Sequence, residues 1–510
     1  MLFNSLDFLI FFPIVVLLYY CIPNKFRYIW LLVCSYYFYM CWNVEYALLL
    51  LASTGITYVS GILIDRLRES KQQSIQESTQ DRVQAKANTG TAIKAVVAAS
   101  FTLNLAILIF FKYFDFLTEN LQKALSIVNI QIQIPEFSLL LPVGISFYIF
   151  QALGYTMDVY RGDIKAEKNF LRYAVFVSFF PQLVAGPIER SKNLLKQFSE
   201  EHKFNLENVK ESLLLMAWGY FMKMVIADRI AIFVDAVYGD YVQYGGWYIV
   251  VATVLFAFQI YCDFAGYSTI AIGAAGVMGF RLMENFEAPY CAVDVPDFWK
   301  RWHISLTSWF RDYLYIPLGG NRKGKLRKYA NKIIVFVVSG FWHGAQWSYV
   351  IWGGLNGVFI VLSEIFTPAK NWVKKKTDWK ENAASNKVLQ AIITFCLVDF
   401  TWIFFRAPGT KDAIKMIQSI FSVKNIEIFF DNSLYGLGLD RRNFIFMILS
   451  IIVLIIVDVC HNKGIRIRAW LKTQNTWFRW LVYIALIEAV LIFGIWGVGY
   501  DKAAFIYFQF

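Results

Sequence analysis

Long apolar stretches recur along the whole chain, separated by short segments that carry most of the charge. A helix needs about 20 apolar residues to cross a bilayer, and several stretches reach or approach that length. The crossings that we predict lie near 6–22, 28–42, 46–64, 93–116, 138–160, 211–238, 247–275, 388–406, 443–459 and 477–497. The pattern predicts an all-α polytopic membrane protein of about ten crossings, with 1–510 forming a single integral membrane domain.

Two further apolar stretches are interrupted, and we predict that they form re-entrant half-helices. The stretch 171–190 is short and is broken by two prolines and Gly186. The stretch 331–366 is long, but it carries glycines and His343 in its middle. Because non-helical backbone at membrane depth must be covered by protein or line a water-filled cavity, we expect these stretches to surround a central tunnel.

Basic residues concentrate in some of the loops between these stretches. Loop 299–332 holds nine basic residues against one acidic residue, Asp312. The same bias predicts four cytoplasmic loops, at 65–92, 299–332, 367–387 and 460–476. Loops of neutral, acidic or mixed charge lie at 43–46, 117–137, 239–246 and 407–440. With ten crossings and two excursions the basic loops all fall on one side, which makes 66–92 a cytoplasmic polar loop and both termini extracytoplasmic.

Composition agrees with a membrane protein and excludes other classes. Hydrophobic residues make up 58% of the 510 positions and charged residues only 17%. The apolar stretch at 6–22 has no preceding Lys or Arg, so we expect a retained span, not a cleaved signal peptide. The seven cysteines form no CxxC pair, which argues against a disulfide framework or a zinc site. A net charge of +12 is explained by cytoplasmic loops and anionic headgroups, and no nucleic-acid-binding module is present.

Polar side chains inside apolar stretches are candidate site residues, because each is costly in hydrocarbon. They are Asp263, His343, Asp399 and Glu488. The ordinary pKa of histidine, near 6.5, suits His343 to proton transfer. Two alternatives stay open on the residues alone: a packed histidine bonded to a backbone carbonyl, and helix packing through Gly340 and Gly344.

The segment 297–330 interleaves aromatic and basic residues and is predicted to be cytoplasmic and amphipathic. One interpretation is an amphipathic segment lying in the cytoplasmic interface of the membrane. The other places His303 at the mouth of a cavity, where nearby cations attract an anionic acyl donor such as coenzyme A or an acidic carrier protein. The candidate donor-binding residues are Lys300, Arg301, Trp302 and Arg311.

Two quoted segments together resemble a known family. DFWKRWHISLTSWFRDYLYIPLGGNR (297–322) is followed by GFWHGAQWSYVIWGGLNG (340–357), and the pair resembles the membrane-bound O-acyltransferase (MBOAT) superfamily. The segments PQLVAGPIER, QIYCDFAGYSTIAIG and MGFRLMENFEAPY are similar to its bacterial branch, which contains the alginate O-acetylation and teichoic acid D-alanyltransferase membrane subunits. Thr269 departs from the acidic residue that we expect after GYS in many alginate-type members.

The resemblance implies roles for two histidines. His343 matches the family histidine that acts as catalytic base, and His303 matches a second one near the donor entrance. We expect His343 to be buried among three tryptophans, Trp342, Trp347 and Trp352, with Asp263 as intramembrane polar support. Neither His202 nor His461 matches a family position, and both are expected to be solvated.

The aromatic tail 498–510 ends in FIYFQF and is predicted to be extracytoplasmic. Its Tyr507 carries a phenol that could accept an acyl group and pass it on. Similar tails in bacterial members are thought to act as such a relay. The alternative is an aromatic interface anchor.

Taken together, the resemblance implies an O-acyltransferase in the bacterial cytoplasmic (inner) membrane that moves a short acyl group, for which we expect acetyl, toward hydroxyls of an exported or cell-wall polysaccharide. The donor would be acetyl-coenzyme A or an acyl carrier protein thioester, with no bound cofactor and no metal. An extracytoplasmic esterase-like acetyltransferase is the expected partner. The alternatives are a transporter or flippase for a lipid-linked glycan, and a family member that acylates a protein or lipid.

Overall fold

The computed structural model describes residues 1–77, 82–130, 141–377, 379–380, 383–496 and 506, which form helices and no strand. The all-α prediction is therefore confirmed over this part of the chain. The helices up to residue 197 are α1 (Leu6–Cys21), α2 (Asn24–Met40), α3 (Tyr46–Glu77), α4 (Arg82–Leu108), α5 (Phe114–Ile127), α6 (Ile145–Arg161), α7 (Phe170–Ser178), α8 (Phe180–Leu183) and α9 (Ser191–Gln197).

The later helices are α10 (Leu206–Tyr220), α11 (Asp228–Gly239), α12 (Trp247–Val277), α13 (Val295–Arg301), α14 (Ile304–Phe310), α15 (Gly324–His343), α16 (Trp347–Ile365), α17 (Thr367–Lys376), α18 (Ala384–Arg406), α19 (Thr410–Ser422), α20 (Arg441–Asn462), α21 (Ile467–Lys472) and α22 (Thr476–Phe493). π-Helical segments occupy Ile109–Tyr113, Phe221–Ala227 and Arg311–Tyr315. The chain forms two compact units. The first unit is Met1–Ser212 with Ala271–Met283, and the second is Leu213–Ile270 with Glu284–Phe510.

Seven helical stretches of the described residues are long and apolar enough to cross a membrane. They are Tyr46–Ser70, Thr89–Ile127, Trp247–Val277, Trp347–Ile365, Ala384–Arg406, Arg441–Asn462 and Thr476–Phe493. The protein is thus a multi-pass membrane protein, although the count of ten crossings is not confirmed. Part of the difference is length, since α1 has 16 residues and α2 has 17. Trp347–Ile365 falls within the stretch that we predicted as an excursion.

In the first unit, the segment 171–190 is interrupted as predicted. Helix α7 stops at Ser178, α8 covers only Phe180–Leu183, and no helix follows before α9. Side chains bind backbone groups that the interrupted helix leaves without a helical partner. Ser35 Oγ accepts from the Phe180 N–H at 3.0 Å, and Gln182 Nε2 donates to Phe176 O at 3.0 Å. Residues 173–189 are buried throughout, so this broken backbone is covered by protein.

In the second unit, the segment 331–366 divides into two helices that pack closely. Helix α15 ends at His343 and α16 begins at Trp347. Glycines make the close approach possible, because a Cβ atom on Gly340 would overlap Tyr349 O and one on Gly353 would overlap Phe336 O. The packing role considered for Gly340 is therefore present, and it places His343 at the end of a tightly held helix.

Two polar segments contain helices that were not predicted from the sequence. The loop predicted at 66–92 is largely helical, because α3 continues to Glu77 and α4 begins at Arg82. The segment 297–330 is made of several short elements. It contains the end of α13, all of α14, a π-helical segment and the start of α15. Periodicity did not separate polar helix from polar loop at 66–92.

The contact between α15 and α16 provides a stability prediction. We expect Gly353→Ala to lower the melting temperature in detergent by several degrees, because its Cβ would collide with α15 backbone. The neighbouring change Gly354→Ala is the matched control, since its Cβ would lie 3.8 Å from Val337 Cγ2, an ordinary contact. Equal melting temperatures for the two variants would contradict this close packing.

Candidate active site

The structure brings the two predicted catalytic histidines together. The ring centroids of His303 and His343 are 6.4 Å apart, and the rings meet edge-on at 61°. Both residues are buried, with exposed fractions of 1% for His303 and 4% for His343. Forty positions separate them in sequence, and both belong to the second unit. The two imidazoles therefore form one site in the protein interior.

Aromatic rings surround His343. Its ring centroid lies 4.9 Å from Trp342, 5.1 Å from Trp352 and 5.5 Å from Phe405. Trp342 and Trp352 confirm the expected surroundings, whereas Trp347 does not, because 55% of it is exposed at the start of α16. Phe405 of α18 takes part instead. Apolar rings around an imidazole keep water away and leave the local dielectric constant low.

Asn285 fixes the position of His303. Its Oδ1 lies 3.1 Å from His303 Nδ1 and accepts from Ser305 N at 3.2 Å and from Ser305 Oγ at 2.8 Å. Its backbone O accepts from Ile304 N at 2.9 Å. His303 itself adopts a left-handed backbone conformation (φ 45°, ψ 54°) at the start of α14. Such strain in a residue other than glycine persists only where surrounding contacts enforce it, often at functional sites.

Burial sets the charge of His303 and the contacts with Asn285 set its tautomer; the residue lies outside the seven candidate spans. Burial lowers the pKa of His303 to about 3, so its imidazole is neutral at physiological pH. Asn285 Oδ1 already accepts from the Ser305 N–H, which identifies it as oxygen and makes His303 Nδ1 the donor. The single ring proton is then on Nδ1, and the lone pair of the ring is on Nε2.

Sequence reasoning missed Asn285. It belongs to MGFRLMENFEAPY, one of the segments similar to the bacterial branch, but nothing in the local pattern pairs an amide at 285 with a histidine at 303. The pairing depends on the extended segment after α12 running beside the start of α14, which the hydrogen bond from Ile304 N to Asn285 O records.

The four candidate donor-binding residues occupy different environments. Lys300 and Arg311 are exposed, and Arg311 pairs with Asp312 at 2.9 Å. Arg301 is half-buried and contacts Asp297 at 3.1 Å and Asn462 at 2.8 Å. Trp302 is fully buried, with its ring stacked on Phe298 at 5.4 Å. The exposed cations fit a face that attracts anions, whereas Trp302 contributes to the aromatic core.

Asp263 is buried in α12 as part of an ionic cluster. Lys223 Nζ lies 2.5 Å from Asp263 Oδ1 and 2.7 Å from Asp228 Oδ1, and all three side chains are at most 4% exposed. Sequence analysis missed Lys223 and Asp228, although a lysine inside the apolar stretch 211–238 was a visible signal.

The remaining polar candidates, Glu488 and Asp399, lie on different helices. Glu488 is exposed on α22, and Asp399 is half-buried in α18. The prediction of solvated rings for His202 and His461 is wrong in part, since both are half-buried and the His202 ring packs on Phe280 at 4.5 Å. Tyr507 lies outside the residues that the structure describes.

Comparison with known proteins agrees with these motifs. The chain is 35% identical to a protein named probable alginate O-acetylase AlgI from Pseudomonas putida, over 83% of this chain and 80% of that protein. It is 32% identical to a peptidoglycan O-acetyltransferase from Helicobacter pylori, over 78% and 75%. A teichoic acid D-alanyltransferase from Bacillus subtilis is 28% identical, over 53% and 70%.

The family model of the membrane-bound O-acyltransferases matches residues 164–398, which include both histidines, Asn285 and the glycine contact. The resemblance drawn from the motifs is therefore confirmed, in both the family and the branch. The chain belongs to the membrane-bound O-acyltransferase family and is a multi-pass membrane-bound O-acyltransferase.

Proposed function

We propose that the protein transfers a short acyl group, acetyl in the first instance, from a cytoplasmic thioester toward hydroxyls of an exported or cell-wall polysaccharide. The observation that carries the proposal is the buried pair of His303 and His343, enclosed by aromatic rings in a chain of this family. A dry imidazole suits transfer to a hydroxyl, because water would otherwise hydrolyse the thioester.

In the proposed chemistry His343 is the general base. Its neutral ring takes the proton of the acceptor hydroxyl while the oxygen attacks the thioester carbonyl carbon. The new C–O bond forms, the C–S bond breaks, and the departing thiolate receives a proton, so that atoms and charge balance. His303, neutral and fixed through Nδ1 by Asn285, supports the geometry and presents the Nε2 lone pair.

The donor is proposed to bind at the basic segment 299–332. Lys300 and Arg311 are exposed there and could meet the phosphates of coenzyme A or the acidic surface of an acyl carrier protein. Both donors present the same pantetheine thioester, so the chemistry at His343 is the same for either. The central tunnel that would connect this face to His343 stays a prediction.

The acceptor is inferred from the relatives. Two of them are named for O-acetylation of alginate and of peptidoglycan, which favours a glycan hydroxyl over a protein or lipid acceptor. Membership of an acyltransferase family does not support the alternative of a transporter or flippase. We place the protein in the bacterial cytoplasmic membrane, with both termini outside.

Delivery on the outer side is proposed to use Tyr507 as an acyl relay. The phenol would accept the acyl group as an ester and pass it to an extracytoplasmic esterase-like acetyltransferase, which completes transfer to the polysaccharide. An ester on a phenol is a good acyl donor, because the phenolate leaves more readily than an alkoxide.

Removing the base tests the reaction directly. We expect His343→Ala to lower transfer of labelled acetyl from acetyl-coenzyme A or acetylated carrier protein by about a hundredfold or more, because no group would remove the hydroxyl proton. His461→Ala is the control, since it removes a half-buried histidine at the end of α20. Folding is checked by size-exclusion elution. Wild-type turnover in folded His343→Ala would contradict the proposal.

The role of Asn285 gives a second prediction for turnover. We expect Asn285→Ala to lower kcat about tenfold to a hundredfold with little change in donor KM, because His303 loses the acceptor that fixes its tautomer. Ser305→Ala is the matched control: it deletes one hydroxyl contact to Asn285 but keeps the backbone N–H contact, so a smaller effect is expected. Equal effects of the two changes would rule out this role.

A further inference from the structure

The end of the chain returns to the π-helical segment after α10. Arg229 Nη2 donates to Phe493 O at 2.8 Å, at the end of α22. Two residues later, the Ile495 N–H donates to Met224 O at 3.0 Å. Further on, the Ile506 N–H donates to Asp263 Oδ2 at 2.7 Å. Met224 lies in the π-helical segment Phe221–Ala227, a form often found at functional sites, and Arg229 lies two residues after that segment.

We propose that the buried cluster of Lys223, Asp228 and Asp263 is an anchor that holds the C-terminal tail in the second unit. The two carboxylate oxygens of Asp263 make different contacts. Its Oδ1 contacts the Lys223 ammonium at 2.5 Å, and its Oδ2 accepts from the Ile506 backbone at 2.7 Å. Lys223 in turn contacts Asp228, so an ion pair holds the Asp263 carboxylate through the oxygen that does not bind the tail.

We expect the hydrogen bond from the Ile506 N–H to Asp263 Oδ2 to be strong. An N–H donating to an ionised carboxylate is a charge-assisted hydrogen bond, and here the carboxylate is only 3% exposed. The Ile506 residue is itself 1% exposed and belongs to the main hydrophobic cluster of the second unit. Ile506 is therefore held by a backbone hydrogen bond and by apolar packing. Together these contacts fix which residue of the tail lies beside Asp263.

The position of Ile506 matters because this residue directly precedes Tyr507 in the sequence. Under the proposed function, on which this consequence rests, fixing residue 506 limits how far the relay phenol moves from the second unit. Lys223, Asp228 and Asp263 are thus positioning residues, since they act through the tail and not on the reacting atoms. Apolar side chains could not replace the ionic cluster in this role, because they offer no oxygen to accept from the Ile506 N–H.

Limited proteolysis of the full-length protein in detergent tests the anchor. Loss of the tail after digestion with a non-specific protease is followed by intact-mass spectrometry. Asp263→Asn weakens the charge-assisted bond, and Ile506→Asp sets a carboxylate against Asp263 without altering the membrane helices. We expect cleavage beyond residue 493 to be about tenfold faster in both variants than in the wild type.

Two controls accompany these variants. Asp458→Asn changes another buried carboxylate, which accepts from Tyr261 at 3.1 Å, and Ile506→Val keeps both the N–H and the apolar side chain. Both should be cleaved at the wild-type rate. If Asp263→Asn does not fold, Ile506→Asp decides the question alone. Wild-type cleavage rates in folded Ile506→Asp would overturn the anchor.

Acyl transfer by the same variants separates the anchor from the relay. We expect Ile506→Asp to lower kcat for transfer to the polysaccharide while donor KM stays unchanged, and Ile506→Val to retain turnover. Faster cleavage with undiminished turnover in Ile506→Asp would leave the anchor established and overturn its consequence for the reaction. Loss of turnover in His343→Ala is independent of either result, because His343 does not belong to the tail.

Discussion

The placement of two buried imidazoles, His303 and His343, among aromatic rings is the constraint on which this structure depends. Burying a polar group without a hydrogen-bond partner costs free energy, and the tautomer of a neutral histidine decides which of its two ring nitrogens can accept a proton. His303 meets both demands through Asn285. The rings around His343 enclose it in apolar surface, and under the proposed function this surface excludes the water that would hydrolyse a thioester donor.

Backbone features near each histidine position His303 and His343. Gly340 and Gly353 let α15 and α16 approach until main-chain atoms touch, which fixes the end of α15 at His343. At the start of α14, His303 adopts a left-handed backbone conformation. The next two residues, Ile304 and Ser305, donate hydrogen bonds to Asn285 and hold this conformation in place. Packing and strain together bring side chains forty positions apart to a ring separation of 6.4 Å.

The helical class, the multi-pass character and the family could be predicted from the sequence, because apolar length and motif residues are local signals. The interruption at 171–190 was likewise visible in its prolines and Gly186. What could not be predicted depends on contacts between distant segments: Asn285 beside His303, Phe405 in place of Trp347, and Lys223 between two aspartates. The helices that reach Glu77 and begin at Arg82 were missed because polar residues occur in loops and in helices that extend beyond a membrane.

The central claim is that His303 and His343 act as one unit in acyl transfer. A double-mutant cycle tests it most directly, with kcat/KM measured for His303→Gln, His343→Gln and the double variant in folded protein. If the rings cooperate, the double variant should be little slower than His343→Gln alone, because the first loss already removes the shared function. Losses that multiply independently would contradict the account.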